Sequence, residues 1–345
     1  MGQIDMSKYQ VRTDLVLDEL DNLVDDNLKI EKRNIEDIKI TDVLVKEEYE
    51  NKLNKKRGRY ITIEFNDVTD YENRKKIIKV FSDELKEILK EININENDEC
   101  LVIGLGNEKS TPDALGPKTI NDILVTRHLF SIDGNNVEPG FRCVSAFNPS
   151  VMGVTGIETS ELIKSLIGNI NPKFVIVVDA LAASSISRVN RTIQMTDSGI
   201  HPGSGIGNTR KEISKEVLGI PVIAIGIPTV VDAVTIVSDT INYMIKHFSY
   251  MEENINNPSN KLAVKRINYL KKNTKQLNEK EKKKYIGLLG ELSDKEIHSL
   301  IYEVLSPIDY NLMVTPKEVD FVIEKLSNVL SSGINMALHK KVNNL

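Results

Sequence analysis

Between residues 100 and 248 the chain alternates short apolar runs with longer amphipathic stretches, and that alternation narrows its possible folds more than any other feature. The runs 100–105, 141–147, 173–178, 191–196 and 221–226 have strand length, and the stretches 114–129, 157–169, 210–217 and 231–248 carry helical spacing. Near-continuous apolar runs suit strands covered on both faces, and the helices between them supply the crossovers a parallel sheet needs. The expected fold is α/β, a mostly parallel sheet with helices on both faces. Upstream, 58–65 alternates as a strand and 72–93 is helical, with Ile77, Val80, Phe81, Leu85, Ile88 and Leu89 along one face. Residues 1 to about 55 are highly charged and weakly periodic, with an acidic stretch at 18–26 that reads as exposed, so the region is expected to be an arm or a prosegment.

Beyond the core the pattern changes. Residues 249–290 turn polar and read as a linker, and 291–345 as a helical segment. Two capped helices are expected there, since Ser293 precedes Glu296 and Thr315 precedes Glu318 at capping-box spacing, with Pro316 at a first helical position. His128, His247, His298 and His339 fall on predicted helices, where surface or packing roles are expected.

Composition excludes several classes. A chain of 345 residues, 40% apolar, can bury a large core, yet it has no run near membrane-spanning length. The start, Met-Gly-Gln-Ile-Asp-Met, lacks the basic and apolar regions of a secretory signal, so a cytoplasmic protein is expected. Fifty acidic residues against 45 basic ones give a net charge of -5, without the basic surplus of a nucleic-acid face. Cys100 and Cys143, with no CxxC, read as buried strand thiols.

Acidic residues stand where the strands end. Asp179 closes Phe174-Val-Ile-Val-Val178, and Asp113 lies in the loop after Cys100-Leu-Val-Ile-Gly-Leu105. In open α/β sheets the crevice outside the carboxyl ends of the strands collects ligands and chemistry. Asp113, after Pro112 and before a helix, could equally be a helix cap, and Asp179 could bond the backbone that follows it. If the two meet, burial and like charge raise one pKa, leaving an acid and a base able to protonate a leaving amine and activate water. They could also hold a metal, with His201 as a further ligand.

Asp232, after the 221–226 strand, either caps the next helix or orients one of the pair. The run 198–208, with four glycines around His201, reads as a substrate or lid segment. Gly104-Leu-Gly106 resembles a dinucleotide fingerprint, but Lys109 stands where its third glycine belongs, so no cofactor is expected.

Taken in order, Val11-Arg-Thr-Asp-Leu15, Leu101-Val-Ile-Gly-Leu-Gly-Asn107, Thr111-Pro-Asp-Ala-Leu-Gly-Pro117, Val178-Asp-Ala-Leu-Ala-Ala183, Asp197-Ser-Gly-Ile-His-Pro-Gly-Ser-Gly205 and Asn311-Leu-Met-Val-Thr-Pro-Lys-Glu318 resemble the germination proteases of endospore-forming bacteria. The resemblance implies an atypical aspartic endopeptidase of the spore interior, a homotetramer that degrades small acid-soluble spore proteins. It implies a zymogen that removes its own N-terminal peptide, here residues 1–14, by cutting between Asp14 and Leu15. It makes Asp113 and Asp179 the catalytic pair and requires no metal, although the core is similar to that of hydrogenase-maturation proteases, which place acids around one. Residues 15–99 would then form a charged N-terminal segment and 100–248 the catalytic core. Two departures stand out: Ser184-Ser-Ile-Ser187 lacks the arginine and acid usual there, and Val16-Leu-Asp-Glu19 is less alanine-rich than is usual after the cut.

Overall fold

Strands buried on both faces need cover on both sides, and two helical layers supply it. A computed structural model describes residues 13–20, 28–133, 137–203, 210–254, 256, 278–305 and 312–342. The strands are β1 Lys29–Ile35, β2 Ile38–Val45, β3 Gly58–Glu64, β4 Cys100–Gly104, β5 Val144–Phe147, β6 Phe174–Ala183, β7 Thr192–Thr196, β8 Val222–Asp232 and β9 Met313–Val314. The helices are α1 Val16–Leu20, α2 Glu50–Leu53, α3 Tyr71–Glu91, α4 Leu115–Asn121, α5 Arg127–Asp133, α6 Met152–Thr155, α7 Thr159–Ile170, α8 Lys215–Leu218, α9 Ala233–Glu253, α10 Glu279–Ile286, α11 Asp294–Leu305 and α12 Val319–Leu338. The described residues form two compact units, one within 13–230 and 315–342, the other within 231–314.

The sheet runs in the order β1-β2-β3-β7-β8-β6-β4-β5, with β9 on β8. It is a mixed sheet. The β5-β4-β6 part is parallel, Cys100 standing opposite both Val144 and Phe174. The β1-β2-β3-β7-β8 part is antiparallel. The β1–β2 hairpin corrects the expectation of an arm up to about residue 55: Ile38, Ile40, Val43 and Val45 are buried while Lys39 and Leu44 face out. Buried Thr41 interrupts the period-two pattern, which hides this strand among charged neighbours.

Alternation sorts the core of this unit. Cys100, Val102, Phe174, Ile176 and Val178 pack with Phe81 and Leu85 of α3 and Ile323 and Leu330 of α12. Leu101, Ile103, Val175 and Val177 pack on the other face with Ile163 of α7 and Leu218 of α8. Each such side chain contributes about 1.5–3 kcal/mol when fully buried. Both cysteines are free and buried.

Several boundaries differ from expectation. The stretch 114–129 divides into α4 and α5, and only Lys215–Leu218 of 210–217 is helical. Strand β8 continues to Asp232, so α9 starts at Ala233. The polar stretch 249–290 includes the end of α9 and the whole of α10, and residues 257–277 lie outside the described residues. In the smaller unit α9 and α11 join through Val234, Ile297 and Ile301. The first expected capping box is present, Ser293 N–H donating to Glu296 Oε2 at 2.8 Å and Glu296 N–H to Ser293 Oγ at 3.4 Å. The second is not: α12 begins at Val319, and the Thr315 hydroxyl instead donates to the Thr229 carbonyl at 2.9 Å.

Helix α4 approaches β4 and β6 closely at Gly116, which brings no side chain of its own. A Cβ on Gly116 would stand 2.2 Å from the Leu105 carbonyl oxygen and 2.7 Å from that of Val178. Gly116→Ala is therefore expected to destabilise the protein by about 1–3 kcal/mol. A thermal melt checks this, and an unchanged midpoint would show that the helix can retreat freely.

Candidate active site

Asp113 ends a single turn of 3-10 helix, Thr111–Asp113, that leads into α4. Its Oδ2 reaches back to accept the Asn107 N–H at 2.8 Å, so it does not cap the helix; Ala114 holds that position. The reach is possible because Gly106, at φ +114°, has no side chain; a Cβ there would stand 2.0 Å from the Asp113 carbonyl oxygen. The Thr229 hydroxyl fixes the same turn by donating to the Pro112 carbonyl at 2.6 Å.

Asp179 sits within β6 and is only 6% exposed. Its Oδ1 accepts the Ala180 N–H at 2.9 Å, the backbone bond anticipated from sequence. Burial holds the Asp179 carboxyl well above the usual carboxylate range; the negative charges of Asp113 and Asp14 add to this, and the Ala180 N–H and Arg210 oppose it. Burial also raises Asp113, against the Asn107 N–H and Arg210. The two carboxyls thus share an electrostatic environment, and the proton stays more readily on Asp179.

The segment around Asp14 and Leu15 is part of the same environment. The Asp14 N–H donates to the Ala182 carbonyl at 3.1 Å, and the Ala182 N–H donates to Asp14 Oδ2 at 2.8 Å. Gln194 Nε2 donates to the Asp14 carbonyl at 2.9 Å, while Gln194 Oε1 accepts the Val16 N–H at 2.7 Å. Lys55 Nζ donates to the Thr13 carbonyl at 2.8 Å, and the Leu15 N–H donates to Thr13 Oγ1 at 3.1 Å. Leu15 and Val16 are fully buried. Burial lowers the Lys55 pKa, against the charges of Asp14 and Glu19.

Helix α1 is anchored through Asp18, whose carboxylate is buried and accepts the Ser184 N–H at 2.7 Å, the Thr13 hydroxyl and the Arg188 guanidinium. Arg188 follows Ser184-Ser-Ile-Ser187 directly, so a cation is supplied one residue beyond the stretch that lacks one.

The remaining sequence candidates make other contacts. His201 Nε2 lies 3.7 Å from Glu212 Oε2, and the other Glu212 oxygen takes Lys56. Among the described residues no hydrogen bond joins His201 to either aspartate, and no group of three or more His, Cys, Asp or Glu is placed to hold a metal. Residues 204–208 of the glycine-rich segment lie outside the described residues. Asp232, in the smaller unit, caps α9 by accepting the Val234 N–H at 2.8 Å. His339, just past α12, is a packing residue: its Nδ1 accepts the Arg142 N–H at 3.1 Å and its Nε2 lies 3.2 Å from the Leu124 carbonyl.

Sequence reasoning missed Gln194, Lys55 and Arg188. Gln194 carried a readable signal, as an amide in the middle of the apolar strand Thr192-Ile-Gln-Met-Thr196. A buried amide must find hydrogen-bond partners.

The family profile described as Germination protease matches residues 7–345. The chain belongs to the germination protease family. Curated germination proteases of Geobacillus sp. (strain WCH70) and Priestia megaterium (strain ATCC 12872 / QMB1551) are each 47% identical to it, the alignments covering 98% and 99% of this chain and 96% of each relative. That of Bacillus cereus (strain ATCC 10987 / NRS 248) is 48% identical over 98% of this chain and 96% of its own. Among solved structures, the [NiFe] hydrogenase maturation protease HycI from Thermococcus kodakarensis KOD1 is similar at 17% identity and a TM-score of 0.28, over 42% of this chain and 79% of that one. Membership of the germination protease family makes the chain a peptidase. Within it, no described helix is long and apolar enough to cross a membrane.

Proposed function

We propose that this family member is an endopeptidase made as a self-processing precursor, which hydrolyses small acid-soluble spore proteins in the spore interior during germination and works as a homotetramer. Asp113 and Asp179 carry the chemistry. The observation that supports this most directly is the asymmetry between them: burial raises both carboxyls, against a backbone N–H and Arg210 in each case, but Asp179 is raised the further, with the charges of Asp113 and Asp14 adding to its burial. Asp113 then acts as the base and Asp179 as the acid.

In the hydrolysis, Asp113 takes a proton from water as its oxygen bonds to the carbonyl carbon, and the carbonyl π pair moves onto oxygen. When the tetrahedral species collapses, the C–N pair leaves with nitrogen, which takes the Asp179 proton. The products are an acid and an amine, and the two carboxyls have exchanged roles.

For self-processing the bond cut is that between Asp14 and Leu15. The peptide removed carries Asp5, Lys8, Arg12 and Asp14, so its loss leaves the net charge unchanged and activation must come from uncovering the site. Incubating the full chain at mildly acidic pH and measuring intact mass tests this. The expected product begins at Leu15 and degrades a purified small acid-soluble spore protein at a rate unaffected by a chelator. A mature terminus elsewhere would refute the assigned bond, and activity lost on chelation and restored by a divalent ion would replace the aspartate pair with metal-assisted hydrolysis.

A further inference from the structure

The side chain of Gln194 grips both sides of the Asp14–Leu15 bond. Its Nε2 donates to the Asp14 carbonyl oxygen at 2.9 Å, and its Oε1 accepts from the Val16 N–H, one residue past the bond, at 2.7 Å. Ile193 and Met195 point into the larger core cluster, as do Phe174, Ile176 and Val178 of β6. Strand alternation therefore puts Gln194 and Asp179 on the opposite face together. Gln194 is 6% exposed and comes from β7, inside the sheet, where rotation would leave its amide without these partners.

Resting on the self-processing reading, we infer that Gln194 is a catalytic residue of the self-cleavage, fixing the scissile peptide in register and stabilising the oxyanion that forms on the Asp14 carbonyl. As water gives a proton to Asp113 and bonds to the Asp14 carbonyl carbon, the π pair moves onto the oxygen already facing Gln194 Nε2–H. The C–N pair then leaves on the Leu15 nitrogen with the Asp179 proton. A donor fixed beforehand on an oxygen that becomes negative strengthens in the transition state, and removing one such donor slows acyl transfer by about 10²–10³-fold. Oε1 does the complementary work, because a peptide held at both the carbonyl and the following N–H cannot slide by one residue.

The test measures conversion of the full-length chain to the Leu15 terminus for wild type, Gln194→Glu, Gln194→Met and Asp179→Asn, with thermal melts alongside. Gln194→Glu has nearly the same shape and keeps the acceptor for Val16, but it can donate to the Asp14 oxygen only while its carboxyl is protonated. Expected at neutral pH is conversion about 100-fold slower than wild type in both Gln194 variants. The ratio of Gln194→Glu to wild type should rise as pH falls, while that of Gln194→Met stays flat; a merely structural glutamine predicts no such recovery. Wild-type conversion by Gln194→Glu at neutral pH, or a ratio flat with pH, overturns the inference and leaves the processing reading standing. If Gln194→Glu does not fold, wild-type conversion by Gln194→Met overturns it equally. A wild-type chain that never yields the Leu15 terminus, or an Asp179→Asn chain that does, removes both.

Discussion

Asp179→Asn is expected to abolish both self-cleavage and substrate hydrolysis while raising the thermal midpoint at neutral pH. General acid catalysis by one positioned group contributes about 10²–10⁴-fold, and an asparagine has no proton to give the leaving amine. The stability gain follows from the direction of the pKa shift. A carboxyl whose folded pKa lies above its unfolded value contributes stability that is present below the unfolded value and lost as pH rises through the folded one. Asparagine does not titrate, so the variant should gain on wild type as pH rises from about 4. In a chain of this size a gain of 1 kcal/mol shifts the midpoint by about 2–4 °C. Asp113→Asn should also be inactive, because no base then activates water. The measurements are conversion by mass, peptide hydrolysis, and melts from pH 4 to neutral. A robustly active Asp179→Asn would sink the acid–base pair, and an inactive variant that melts lower would show that Asp179 is chiefly structural.

Arg188→Ala is expected to be the most damaging single change to stability near the processing segment. The guanidinium is 12% exposed and pairs with the Asp18 carboxylate, which is 0% exposed. Removing one partner of a buried ion pair typically costs about 3–5 kcal/mol, because the other charge stays buried without its counterion. The bonds from the Ser184 N–H and the Thr13 hydroxyl, both neutral donors, would remain. Since Thr13 also accepts the Leu15 N–H, loosening Asp18 should disorder the bond to be cut and slow processing as well. Combining Arg188→Met with Asp18→Leu should restore much of the stability, because two neutral side chains carry no desolvation penalty. Denaturant melts of the single and double variants check this, and an Arg188→Ala midpoint equal to wild type would show that the pair contributes little.

The residues that sequence revealed most clearly are those whose environment is set by strand periodicity. Val175 to Val178 are apolar because both faces of β6 are covered, and this made an acid at position 179 conspicuous. The antiparallel part was harder to read: β1 is largely exposed and β2 has a buried threonine, so neither shows a clean alternation. Asp113 was legible as a strand-end acid but not as the residue that folds back on Asn107, because that depends on the backbone angle at Gly106. The segment proposed for processing was legible only by resemblance. Its bonds to Ala182 and Gln194 join positions more than 160 residues apart, and no local pattern encodes them.

Those long-range bonds also bear on what happens once the chain is cut. While Thr13 and Asp14 remain joined to Leu15, they sit beside Lys55, Ala182 and Gln194 at an effective concentration on the order of millimolar, so weak contacts suffice to hold them. Each hydrogen bond contributes only about 0.5–1.5 kcal/mol net, whereas a free peptide held at micromolar concentration needs about 8 kcal/mol. On the self-processing reading hydrolysis would turn an intramolecular ligand into a separate molecule, and dilution would then clear Lys55, Ala182 and Gln194 of it without any rearrangement of the fold. On that reading the event would run one way, because the tether could not be rejoined at those concentrations.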